Sequence, residues 1–186
     1  MRNRKNRKLS RANRVRTAKA SIGMGLKIIS GGQTGADRAA LDWAIQNNVP
    51  HGGWCPKGRW AEDGPIGEKY QLQETPSSSP AQRTEWNARD SDGTVIFARS
   101  KTLNGGSRLT AKFARQYHKP HLHLSRISDD SGAELRSFIR QHKIKVLNVA
   151  GPRASQEPRV GSFVTRLLDL VLGKPLKPRF KAKQEF

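Results

Sequence analysis

Short apolar runs bounded by turn-forming residues alternate along this chain with segments of helical period, the pattern of βα units around a mostly parallel sheet. Leu26 to Ser30 predicts the first strand. From Ala36 to Asn47, Ala40, Leu41, Ala44 and Ile45 share one face while Arg38, Asp42 and Gln46 lie elsewhere, which predicts an amphipathic helix ended by Val49 and Pro50. Gly52 to Pro56 predicts a short strand running into an irregular, Gly- and Pro-rich stretch that continues to Pro80. A stretch of that length is unusual inside a compact domain and points to a functional loop over a site.

Further along, the pattern predicts a helix over Ala81 to Arg89 and a strand over Gly93 to Ala98. A second Gly-rich turn, Asn104 to Ser107, opens a helix whose Leu109, Phe113 and Tyr117 recur at four-residue spacing. A strand over His121 to Ser125, a helix over Gly132 to His142 and a strand over Lys145 to Ala150 follow. Gly151, Pro152 and Arg153 turn the chain, and Val164, Leu167, Leu168 and Val171 mark a closing helix that ends at Gly173. There is no internal repeat.

Composition adds where the charge lies. The 186 residues, 34% of them apolar, suit one packed domain, and the formal charge is +20. Residues 1–25 hold nine Arg or Lys and no acid, and residues 173–186 hold five against one acid, so only about +7 falls on residues 26–172. Both ends are expected to be disordered basic tails flanking one domain at 26–172. Such tails serve as solubilising arms or as nonspecific, salt-sensitive nucleic-acid contacts; an Arg-rich, acid-free first segment is also compatible with a transit peptide. No apolar run approaches the length of a membrane span, so the expectation is a cytoplasmic protein without membrane contact. A single cysteine, Cys55, excludes an internal disulfide and a multi-cysteine zinc site.

The predicted strands end at Ser30, near Ala98 and at Ala150, each followed by a Gly-containing turn and then a helix. In an open parallel sheet such ends lie along one edge, where ligands bind. Glycines let main-chain N–H groups approach an anion, and the first turn of a helix has unpaired donors. Gly31, Gly32, Gln33, Thr34, Gly35, Ala36 and Asp37 therefore read as a phosphate-cradling loop, with Thr34 as a hydroxyl donor, Arg38 as a charge, and Asp37 as a helix cap, a ligand contact or an orienter of Thr34. The bland alternative is a tight strand-to-helix turn. Gly105, Gly106, Ser107 and Thr110 form the weaker second candidate, with plain N-capping as the alternative.

The motifs Ile29 to Arg38, Gly52 to Gly58, Arg83 to Asn87, Asp90 to Thr94 and Leu147 to Arg153 resemble those of the molybdenum carrier family. The likeness spans nearly all of residues 26–172. It implies a Rossmann-like three-layer sandwich, helices on both faces of the sheet, in a circularly permuted branch of the SLOG superfamily that also holds the lysine-decarboxylase-like nucleotide-processing enzymes. It further implies a cargo: molybdenum cofactor, a pterin phosphate, or a nucleotide-like ligand, bound by Gly31 to Gly35, Asp37, Arg38, Arg83, Gly105 to Ser107, Thr110, Gly151 and Arg153. The permutation places Val146 to Arg153, the counterpart of those enzymes' first strand and Gly-Ser turn, near the end of the chain.

Arg83, nine residues before Asp92, falls where the related hydrolases carry a catalytic Arg. Those enzymes follow their second glycine pair with a Thr and a catalytic Glu. Here Gly105 and Gly106 precede Ser107, Arg108, Leu109, Thr110, Ala111 and Lys112, with no carboxylate to serve a water or a leaving group. The expectation is a binding or carrier protein without a protein-bound metal, forming a homo-oligomer. The alternative is a phosphoribohydrolase-like enzyme resting on Arg83 and Asp92, with Asp37, Glu85 or Asp90 as substitute carboxylates. Cys55 reads as a small buried hydrophobe or a thiolate near a metal-bearing ligand, and His118, His121 and His123 as ordinary histidines or a metal pair. Trp54 and Trp60 read as packing or as platforms for a flat ring.

Overall fold

A computed structural model describes residues 25–125 and 129–173. The two basic tails expected from the sequence lie outside these, apart from Gly25 and Gly173. Strand β1 (Lys27–Ile29) leads through the first Gly-rich loop to helix α1 (Ala36–Gln46). Five two-residue strands follow: β2 (His51–Gly52), β3 (Trp54–Cys55), β4 (Trp60–Ala61), β5 (Gly64–Pro65) and β6 (Gln73–Glu74). Then come α2 (Pro80–Arg89), β7 (Gly93–Phe97), α3 (Gly105–Gln116), β8 (His121–Leu124), α4 (Asp129–Gln141), β9 (Val146–Ala150) and α5 (Val160–Leu172).

The central sheet has the order β2-β1-β9-β7-β8, and every pairing in it is parallel. Its alternating residues divide two environments. Ile28, Val95, Phe97, Leu124, Leu147 and Val149 point into an apolar core closed by Ala40 and Trp43 of α1, Leu135 of α4, and Phe163, Val164, Leu167 and Leu168 of α5. Phe163 meets Phe97 edge-on at 5.4 Å, and the Trp43 indole N–H donates to Asp169 at 2.7 Å, joining α1 to α5.

The other face lies under α2 and α3 and sets Ile29 and Ile96 beside the buried polar groups of Thr94 and Asn148. Asn148 stands in register with Ile29 and Thr94, and its amide donates to the Thr94 hydroxyl at 3.1 Å. Helix α3 buries Ser107, Thr110, Ala111 and Ala114 there, while Leu109, Phe113 and Tyr117 are only half-buried. The stripe read from the sequence is thus one step around from the surface that faces the sheet.

The stretch expected to be irregular is organised by one side chain. The Arg59 guanidinium donates to four carbonyls, those of Ile66 (3.2 Å), Leu72 (3.0 Å), Gly67 (3.1 Å) and Tyr70 (3.1 Å). Around it Leu41, Cys55, Ile66, Tyr70 and Leu72 form a second small core. Cys55 is fully buried and its thiol is pushed up by that burial, so it packs as a small hydrophobe.

Asp92 precedes β7 at the amino-terminal edge of the sheet, where its carboxylate accepts the N–H groups of Lys145 (2.9 Å) and Val146 (2.8 Å). It caps the start of β9, away from Arg83. Chain running at about 1.5 Å per residue along α2 carries Asp92 away from Arg83 toward the opposite edge. Asp92→Ala is expected to cost about 1–3 kcal/mol through two orphaned donors while leaving any ligand affinity unchanged, measured by denaturant unfolding beside a binding titration.

Candidate functional site

Strand β9 lies between β1 and β7, so the chain leaving Ser30, Ala150 and Phe97 meets along one carboxyl edge of the sheet. Helix α5, after β9, packs with α1, while α3, after β7, packs with α2 on the other face. Loops that leave neighbouring strands toward opposite faces part, and the gap is a crevice. Its inner end is a recess of about 40 Å³ lined by Gly31, Asp37, Arg83, Asn87, Asn148 and Gly151, with Gly106 and Thr110 from α3. An outer cleft of about 340 Å³ opens beside it, bounded by Ser100, Thr102, Asn104, Ser107, Pro152 and Glu157. Gly105 to Ser107, the first turn of α3, separates the two.

At the floor of the recess the Arg83 guanidinium donates to the Asp37 carboxylate at 2.7 Å, with the two side chains 16% and 5% exposed. Arg83 lies across Gly31 so closely that a Cβ there would overlap its Nη1, which is why this position has no side chain. Burial pushes the Asp37 carboxyl up, and the attraction of Arg83 opposes that shift. The Nε of Arg83 is buried with no hydrogen-bond partner among the described residues. A buried charged donor without a partner is costly, and a ligand atom reaching the recess would satisfy it.

The first Gly-rich loop is engaged in part: the N–H groups of Gly31, Gly32 and Gly35 have no acceptor among the described residues, while their neighbours are taken. Gln33 N–H donates to Asp37 (3.3 Å), Thr34 N–H to Gln33 Oε1 (2.9 Å), Ala36 N–H to the Pro152 carbonyl (3.3 Å) and Arg38 N–H to the Gln33 carbonyl (3.0 Å). Its side chains are engaged as well. Thr34 donates to Glu62 and accepts from Ala154 N–H at 3.0 Å, and Arg38 binds the Gly32 carbonyl and Asp63. Gly35, at φ 77°, has the Pro152 carbonyl 2.5 Å from where a Cβ would stand, so this glycine serves packing between the loops after β1 and β9. Arg153 faces Glu62 at 3.8 Å.

The second loop is open over three consecutive residues. The N–H groups of Gly105, Gly106 and Ser107 have no acceptor among the described residues, and a Cβ on Gly105 or Gly106 would meet nothing within 4 Å. These donors, with the positive end of the α3 dipole, face the crevice. Thr110 donates to the Gly106 carbonyl at 2.9 Å, so its hydroxyl offers the recess lone pairs.

Asn148 and Asn87 are the site residues that sequence reasoning missed. An asparagine inside an otherwise apolar strand was the available signal for Asn148. Asn87 ties α2 to β3 by donating to the carbonyls of Trp54 and Arg83, both at 2.8 Å, and accepting from Trp54 N–H at 3.0 Å. Trp54 itself stacks edge-on against Trp86 and donates to Asp90, while Trp60 is 61% exposed on the β4–β5 hairpin. Of the carboxylates considered as substitutes, only Asp37 lines the recess; Glu85 accepts from Tyr117 and Asp90 from Arg89 and Trp54. His123 contacts the Ala98 carbonyl at 3.0 Å, and among the described residues no group of three or more potential metal ligands converges.

A family model for the circularly permutated YpsA SLOG family matches residues 28–172. A solved structure described as a "Putative molybdenum carrier protein" from Syntrophus aciditrophicus SB is 54% identical, with a TM-score of 0.76 over 78% of this chain and 94% of that one. Among curated proteins none matches the chain.

Proposed function

The chain belongs to the circularly permutated YpsA SLOG family, and from that premise we propose that it is a binding or carrier protein for a phosphorylated small molecule seated in the crevice between β9 and β7. The observation that carries this reading is the pairing of an open α3 N-terminus with the orphaned Nε of Arg83 across a partly buried recess. Phosphate oxygens take the N–H groups of Gly105 to Ser107, where main-chain donors and the helix dipole act together. The body of the ligand occupies the outer cleft, whose volume of about 340 Å³ lies within the range of small-molecule sites. A ring donor or amide reaching the recess meets Asp37, Asn148 and the Thr110 lone pairs.

Molybdenum cofactor, a pterin phosphate, fits this division of labour as cargo, and the 54% identical structure described as a "Putative molybdenum carrier protein" supports it. A nucleotide presents the same phosphate and ring. Calorimetry with molybdenum cofactor, AMP, GMP, NAD and ADP-ribose is expected to show at least one binding. Gly106→Asp places a carboxylate at the N-terminus of α3, where it favours the helix and repels a phosphate. That variant is expected to keep its unfolding midpoint and to bind at least tenfold more weakly. Equal affinity in the variant, or no binding by any of the five compounds, would overturn the assignment.

A further inference from the structure

The β4–β5 hairpin turns through Glu62 and Asp63; Glu62 is seated on the loops that follow β1 and β9, and Asp63 on Arg38 of α1. Glu62 accepts from the Thr34 hydroxyl, from Ser155 N–H (3.1 Å) and from the Ser155 hydroxyl (2.5 Å), with the Arg153 guanidinium at 3.8 Å. Its side chain is only 19% exposed despite standing at a hairpin tip. Gln33 Oε1 accepts N–H from both Thr34 and Glu62 at 2.9 Å and so aligns the tip with the loop. Asp63 pairs with Arg38 at 3.2 Å. Three donors and a cation converging on one carboxylate make a receptor for an oxyanion, and here the oxyanion comes from the chain itself.

We propose that Thr34, Ser155 and Arg153 form an oxyanion subsite which the chain fills with its own Glu62 side chain, and which a phosphate group enters by displacing that carboxylate. The subsite lies on the loops after β1 and β9, apart from the α3 N-terminus, and does not rest on the crevice reading. A phosphate dianion carries more charge and more acceptor oxygens than a carboxylate, so it competes for the same donors despite the local concentration that tethering gives Glu62. The clamp of Arg59 on four carbonyls holds the root of the hairpin, so the tip is the part that is displaced. Trp60, on the same hairpin and largely exposed, reports that displacement.

The test is a titration of the full chain with inorganic phosphate, and in parallel with AMP, followed by amide chemical shifts and Trp emission. Glu62→Gln keeps the shape of the side chain and removes its charge, and it is expected to raise phosphate affinity at least fivefold. The gain should disappear in Glu62→Gln, Arg153→Ala and persist in Glu62→Gln, Gly106→Asp, which removes the crevice contribution. In the wild type the Trp emission change should vanish in Trp60→Phe. A gain with AMP as well as phosphate assigns the subsite to phosphate monoesters, and a gain with phosphate alone assigns it to the free ion. No gain in Glu62→Gln, a gain that survives Arg153→Ala, or a gain abolished by Gly106→Asp would overturn the proposal.

Discussion

Replacing Arg83 with alanine is expected to lower stability by about 3–5 kcal/mol at neutral pH, because it strands the buried Asp37 carboxylate. For a chain of this size that corresponds to a fall in unfolding midpoint of roughly 10 °C. The deficit should depend on pH with a definite sign. Asp37 in the fold already holds its proton more tightly than its ordinary value of 3.8, through burial, and removing Arg83 takes away the opposing attraction. The folded state then binds more protons than the unfolded chain, so stability falls as pH rises from the ordinary value through the raised one. Thermal melts of the variant should approach those of the wild type as pH falls toward 4, and adding Asp37→Asn should recover part of the loss at pH 7. An unchanged midpoint at neutral pH would show that the pair is not a buried ion pair in solution. Ligand binding should be lost in all these variants, because Arg83 Nε is the partner left for the ligand.

The second large effect is expected at Gly151. A Cβ there would stand 2.3 Å from the Phe97 carbonyl and 2.6 Å from the Ala36 Cβ, both set by backbone that cannot move alone. Gly151→Ala forces apart the ends of β9 and β7 and the start of α1, at a cost of about 1–3 kcal/mol as overpacking. Because those ends frame the recess, ligand affinity should fall more than tenfold. Gly106→Ala is the contrast: its Cβ meets open space at a helix start, so stability should hold or rise by about 0.5 kcal/mol. Chemical denaturation of the two variants side by side checks this, and equal losses would contradict the packing described at the crevice.

Much of the fold was legible in the sequence, for reasons these variants expose. Long periodic segments such as Ala36 to Gln46 and Val160 to Leu172 bury apolar stripes, and apolar strands such as Val146 to Ala150 stand out against their turns. That three strand ends share one edge followed from the βα alternation. Several site roles did not follow. The first Gly-rich loop reads as an anion cradle, and the sequence does not show that Gly31, Gly32 and Gly35 also make way for Arg83, Leu72 and Pro152. The acids that engage Thr34 and Arg38 lie some 25 to 28 residues away on a hairpin whose strands are two residues long, too short to show any period. The nine-residue spacing of Arg83 and Asp92 gave no hint that a helix and a turn carry them toward opposite edges.

On the function proposed above, phosphate rests on the first turn of α3 in the crevice between β9 and β7. Amide chemical-shift mapping on titration with the compound that binds most tightly among AMP, GMP, NAD, ADP-ribose and molybdenum cofactor tests it most directly. The largest shifts are expected at the N–H groups of Gly105, Gly106 and Ser107, together with the Arg83 Nε–H resonance. Saturating binding that leaves those signals unmoved would contradict it.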